Sequence, residues 1–258
     1  MGFTTRFSNP HQFQKLANIM YPWIMAGAAL SFAIGLWLAL VQSPPDYQQG
    51  ELVRIMYVHV PAAWTSLQLY TIMAVASAIG LVFRHTLTDV FCIAAAPVGA
   101  GLTALCLITG SIWGQPTWGT WWVWDARLTS MLILFLLYLG YIALRHSFED
   151  HERGGKAGAL LLIVGGVNIP IIKFSVNWWH TLHQPASVMK LSGPSVHSSI
   201  LMPLLVMGLA FNLLMFGLIL LRMRTVLAER RMEAIAQRMS DEEASLTDRS
   251  SPPESAFS

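Results

Sequence analysis

The hydrophobic positions of this chain fall into long unbroken runs, with charged residues confined to the segments between them. A bilayer core about 30 Å thick takes roughly 20 apolar residues of helix. Six runs of that order are present, at residues 21–41, 61–83, 90–112, 127–146, 157–174 and 199–221. The fifth is short and is interrupted by Gly165, Gly166, Asn168 and Pro170. A membrane helix tolerates such breaks where neighbouring helices cover the loosened backbone. The first run begins only at Tyr21 and is about twice as long as the apolar core of a signal peptide, so it predicts a retained helix. After about residue 240 the chain (DEEASLTDRSSPPESAFS) is polar, contains proline and lacks periodicity, which predicts disorder. The expected fold is an all-α membrane protein of six transmembrane helices. Its parts are an N-terminal segment 1–20, a six-helix membrane domain 21–221 and a C-terminal tail 222–258.

Composition agrees with that pattern. The chain is 54% hydrophobic and 12% charged, with a mean hydropathy of +0.51, values that suit a polytopic membrane protein. A net charge of only +2 leaves no basic face to neutralise nucleic-acid phosphates, so nucleic acid is excluded as a partner and membrane lipid is expected. Twelve of the positive residues lie in one set of connecting segments: Arg6, Lys15, Arg84, Arg145, Arg153, Lys156, Arg222, Arg224, Arg230, Arg231, Arg238 and Arg249. The alternate set holds four, Arg54, Arg127, Lys173 and Lys190. By the positive-inside rule this asymmetry puts both termini in the cytoplasm. Cys92 and Cys106 lie in one apolar run and suggest neither a disulfide nor a thiolate metal site. No P-loop, dinucleotide-binding glycine pattern or zinc-protease motif occurs. The chemistry is therefore expected in the three outer loops, 42–60, 113–126 and 175–198.

The second of these loops reads WGQPTWGTWWVWD and holds five of the ten tryptophans: Trp113, Trp118, Trp121, Trp122 and Trp124. An interfacial aromatic belt explains tryptophans spread over several helix ends, not five in one loop. Gly114, Pro116 and Gly119 let the backbone turn and approach a flat object, so the loop suggests a bed for a planar ligand. So aromatic a patch should be covered by lipid, ligand or a partner protein. Of the outer histidines, His59 in YVHVPAAW lies two residues before Pro61, and His180 and His183 in WWHTLHQPAS lie three apart; His197 follows further along. Two neutral imidazoles from separate segments flanking an aromatic floor are what a bis-ligated iron macrocycle requires. Spacing does not choose between His180 and His183. Zinc usually takes three or four ligands, and the outer side offers neither cysteine nor a His-x-x-x-His pair. Arg54 and Arg127 are the outer arginines nearest these elements, suited to pair with propionates; Arg127 has a salt bridge to Asp125 as its plainer reading.

The stretch WGQPTWGTWWVWDARLTS, with PPDYQQGELVRIMYVHVPAAW before it and NWWHTLHQPAS after it, resembles the CcmC family of haem-handling proteins of cytochrome c biogenesis. The resemblance covers about residues 15–225 and implies haem b as cofactor, with His59 and His183 as the axial ligands of its iron. It implies that Trp113, Gly114, Trp118, Gly119, Trp121, Trp122, Trp124 and Asp125 form a periplasmic tryptophan-rich loop where haem meets a chaperone, CcmE. Arg54 and Arg127 fall where the family's propionate-binding arginines would. It further implies a bacterial inner-membrane location, association with the ABC-transporter subunits CcmA and CcmB and the small protein CcmD, and a delivery role, not enzymatic turnover. Two other classes stay open from the residues alone: a bis-histidine electron-transfer cytochrome b, and a haem-translocating pore.

Overall fold

Helices form the whole scaffold of the computed structural model, which describes residues 10–83, 85–183, 188 and 193–250. Arg6, Arg84 and Lys190 of the charge asymmetry, and everything after 250, lie outside the described residues. Helix α1 (Pro10–Trp37) ends in a π-helical turn, Leu38–Gln42. A 3-10 turn, Glu51–Ile55, leads into α2 (Met56–Phe83), followed by α3 (Thr86–Trp118) and α4 (Ala126–His146). The fifth run is a broken helix, α5 (His151–Gly165) and α6 (Asn168–Trp178), and α7 spans Ser198–Ser250. Among the described residues six helical stretches, with α5 and α6 counted as one, are long and apolar enough to cross a membrane.

Several of these elements run beyond the hydrophobic runs that predict them, α1 from Pro10 and α5 from His151 among them, and three of the extensions have a local reason. The turn at Glu51–Ile55 passes directly into α2, so that helix starts at Met56 and carries His59 and Pro61 inside it. His59 is therefore borne by a helix, not by a loop as the sequence suggests. Helix α3 continues six residues past 112 and takes in Gly114 and Pro116. It stops at Gly119, whose φ of 77° and N–H bond to the Gln115 carbonyl (2.9 Å) make a left-handed cap. Helix α7 extends to Ser250, past the expected loss of order near 240. Its residues 222–243 are rich in Arg, Glu, Ala and Met, strong helix formers that propagate a helix already nucleated in the span.

Helix α3 lies at the centre, packed against α2, α4 and α7. Helix α5 packs on α2 and α4, α6 packs on α4, and α1 lies outside against α7. Gly99 permits a close approach: a Cβ there would lie 2.2 Å from the Tyr138 ring, which instead settles against α3 and donates its hydroxyl to the Ser66 carbonyl (2.8 Å). The break in the fifth run is covered as a membrane helix requires, since buried Asn168 donates to the Ser130 carbonyl of α4 (2.9 Å). At the end of the bundle where α3 begins, Asp89 accepts from Arg145 of α4 (3.2 Å) and Arg230 of α7 (2.6 Å), joining three helices through one carboxylate. A cavity of about 620 Å³ opens beside it, lined in part by Asp89, Tyr141, Lys156 and Arg230. The opposite end, where α3 finishes, holds the tryptophans and the two histidines.

Candidate functional site

The site is built on one face of α3. Cys106, Thr109, Gly110 and Trp113 follow helical spacing and therefore point the same way, toward His59 of α2. His59 Nδ1 donates to the Cys106 carbonyl (3.0 Å), an acceptor with no proton of its own. Thr109 Oγ1, 3.2 Å from the same nitrogen, spends its proton on the Leu105 carbonyl (2.7 Å) and so acts as a second acceptor. The proton of a neutral His59 is thereby held on Nδ1, and Nε2 keeps its lone pair. Gly110 makes room for the ring, because a Cβ at that position would lie 2.9 Å from His59 Cε1. The Trp113 ring stands edge-on to His59, at 5.7 Å between centroids and 83° between planes.

His183 comes from the irregular chain after α6 and reaches the same place. Its ring centroid is 6.4 Å from that of His59, with the planes 32° apart, and 6.5 Å from Trp118. Arg127, in the first turn of α4, has Nη1 3.2 Å from His183 Nδ1 and Nη2 3.5 Å from the Ile172 carbonyl. Among the described ion pairs Arg127 makes none with Asp125. Asp125 instead caps α4, its Oδ1 accepting from the Leu128 amide (2.7 Å), while Oδ2 is buried with no hydrogen-bond partner among the described residues. His180 is exposed and has no ring contact with His59 among the described residues.

The tryptophan stretch is not one continuous bed. Trp113 and Trp118 extend α3 beside the histidines, and Gly114 leaves space for the Trp118 ring, which a Cβ there would meet at 3.0 Å. Trp121, Trp122 and Trp124 lie on the turn between α3 and α4, tied back by Ser111 Oγ donating to the Trp121 carbonyl (2.7 Å) and Thr120 Oγ1 to that of Trp122 (3.2 Å). Trp122 and Trp124 pack at 75°, and Trp124 is 76% exposed, so these rings present edges and faces outward. Trp122 Nε1 is buried without a hydrogen-bond partner among the described residues. Trp113 Nε1 donates to Gln49 Oε1 (2.9 Å), anchoring the segment between α1 and α2, whose own turn closes through Asp46. Arg54 points elsewhere: it pairs with Glu51 and donates to the Ala39 carbonyl (2.6 Å).

The donor set fits a planar ligand with a metal at its centre. Metal–imidazole bonds of about 2 Å on opposite sides of one metal bring two ring centroids to roughly 6 Å, close to the 6.4 Å found between His59 and His183. Among the described residues no group of three His, Cys, Asp or Glu side chains gathers to hold a bare metal ion. The orphaned Trp122 Nε1 and the Arg127 guanidinium are donors suited to carboxylates at the ligand's edge. Sequence reasoning did not single out Cys106, Thr109 or Gly110 for the site. The available signal was their helical register with Trp113, legible only once α3 is known to run past 112.

Comparison with known proteins places the chain in a family. The family model described as "Heme exporter protein C" matches residues 3–238. The Heme exporter protein C of Bradyrhizobium diazoefficiens is 51% identical over 228 residues, covering 88% of this chain and 86% of that protein. The Escherichia coli K12 protein of the same name is 43% identical over 231 residues, covering 88% and 93%. That of Haemophilus influenzae is 44% identical over 231 residues, covering 90% and 91%.

Proposed function

The chain belongs to the heme exporter protein C family, and on that footing we propose that it holds haem b between His59 and His183 and hands it to a partner. The site faces the periplasm of a bacterial inner membrane, with both termini in the cytoplasm. The recipient is the haem chaperone CcmE, and the complex includes CcmA, CcmB and CcmD. The observation that carries the reading is the approach of two imidazoles from separate elements to a ring separation of 6.4 Å beside Trp113 and Trp118.

The chain's residues divide the work. His59 Nε2 supplies a lone pair from a ring whose orientation is set by the Cys106 carbonyl, Thr109 and the gap at Gly110. His183 supplies the opposing nitrogen. Arg127 and Trp122 Nε1 take the carboxylates, and Arg54 contributes on leaving Glu51. Exposed Trp121 and Trp124 offer the apolar rim against which the recipient docks. Bound haem supplies an iron saturated by two imidazoles, which suits holding and transfer more than reaction with oxygen.

The test is the oxidised and reduced spectrum of the detergent-purified protein co-expressed with the chaperone. Wild type and His180→Ala are expected to carry six-coordinate low-spin haem, and His59→Ala and His183→Ala to lose that signature. A chaperone still loaded with haem by a protein that carries none in any variant would sink the site assignment. The helix-borne position of His59 favours one second reading, an electron-transfer cytochrome b. Reduction by a quinol without any chaperone would establish that reading instead.

A further inference from the structure

The two histidines meet opposite kinds of partner. His59 Nδ1 faces a carbonyl, so it donates and its Nε2 is left as an acceptor. His183 Nδ1 faces the Arg127 guanidinium, which has N–H donors and no acceptor, so this nitrogen must accept. The single proton of a neutral His183 ring then sits on Nε2. In this state one Nδ1 lone pair is engaged by Arg127 and the other nitrogen carries hydrogen. His59 thus offers a metal a lone pair, whereas His183 offers none while Arg127 holds it.

We propose that Arg127 is a latch on His183, released by the carboxylate of the incoming haem, so that His183 is the exchangeable ligand and His59 the permanent one. This rests on the bis-histidine reading of the site. A guanidinium pairs with a carboxylate through two charge-assisted bonds, against one bond to a neutral imidazole. Arg127's second contact, to the Ile172 carbonyl at 3.5 Å, is too long to compete. When Arg127 turns to the carboxylate, the ring proton passes through solvent from Nε2 to Nδ1, with no net gain or loss, and a ligating lone pair appears. The reverse order operates on delivery. As the carboxylate is drawn away, His183 would release the metal, its ring proton would return through solvent from Nδ1 to Nε2, and Arg127 would close again on Nδ1, leaving a position for the recipient's ligand while His59 keeps hold. The surroundings match this division: His59 is gripped on α2 by Cys106, Thr109 and Trp113, while His183 sits on irregular chain and closes a local turn with Thr181.

The experiment compares ferric haem with its dimethyl ester, which lacks free carboxylates, on purified wild type and Arg127→Met, by absorption and electron paramagnetic resonance. The expected result is low-spin haem in wild type, high-spin ester in wild type, and low-spin ester once the arginine is gone. Dissociation of the ester from wild type should also be roughly tenfold or more faster than from Arg127→Met, the effect of one lost metal ligand against a charged hydrogen bond. The wild-type comparison needs no substitution, so a folding defect in the variant does not blur it. A low-spin ester in wild type overturns the latch, as does an Arg127→Met protein that loses low-spin character with both ligands alike. Haem whose spectrum is indifferent to His59→Ala and His183→Ala overturns the bis-histidine reading itself, a separate result.

Discussion

Gly110→Ala tests whether the His59 ring is positioned by α3 or merely lies near it. The new Cβ would stand 2.9 Å from His59 Cε1 and 3.4 Å from Nδ1, so the ring must retreat by roughly half an ångström to reach ordinary contact. Retreat is directed away from α3, and the Nδ1 bond to the Cys106 carbonyl, now 3.0 Å, lengthens past useful range. The lost bond costs about 1 kcal/mol and the overpacking about 1–3 kcal/mol. Alanine returns about 1 kcal/mol through its better helix propensity. The expected net change in thermal stability is therefore small, about 1–3 kcal/mol. Haem affinity should fall as well, by roughly 10–100-fold, because the bond that fixes tautomer and orientation is a support of the ligand itself. Gly101→Ala is the matched control, since nothing lies within 4 Å of its Cβ; it should keep haem affinity and gain about 1 kcal/mol of stability from helix propensity. Haem titration followed by absorbance in detergent, paired with a thermal melt, reads both quantities. Wild-type affinity in Gly110→Ala would refute the claim that α3 positions His59.

Other substitutions probe the supports around the site. Asp125→Ala removes the carboxylate that caps α4 through Leu128 (2.7 Å) and should lower stability by about 1 kcal/mol in a thermal melt, with Asp125→Asn largely restoring it. Asp89→Asn strips the counter-charge from Arg145, whose side chain is only 8% exposed, and should cost roughly 2 kcal/mol. An unchanged melting temperature would show that the three-helix junction is ornamental. Asp150 caps α5 through the amides of Glu152 and Arg153, and these bonds, Glu152's first, hold its carboxyl below the usual range. The cap's contribution is present above the ordinary carboxylate pKa and is lost as pH falls through the lowered one. Hydrogen exchange at Glu152 and Arg153, corrected for its intrinsic pH dependence, should accelerate across that acid window and not above it.

The spans were legible in the sequence because a membrane imposes one rule on every segment, an unbroken apolar length, and that rule needs no knowledge of neighbours. The left-handed cap at Gly119 and the Asp125 cap of α4 are equally local, although Gly114 and Pro116 suggested an earlier end to α3 and hid the register that aligns Cys106, Thr109 and Gly110 with Trp113. The tryptophan motif and the outer histidines were visible as residue types, and by themselves they left His180 and His183 equivalent. Tertiary structure brings His183 to 6.4 Å from His59 and leaves His180 exposed, a difference made by how α6 lies on α4 and not by any local preference. It also turns Arg54 toward Ala39, gives Arg127 to His183 in place of Asp125, and divides the tryptophans between a helix and a turn. Elements follow from interactions a few residues apart, which a sequence displays directly. The partner of a side chain follows from which helices meet and at what rotation, and that is settled only when the whole bundle packs.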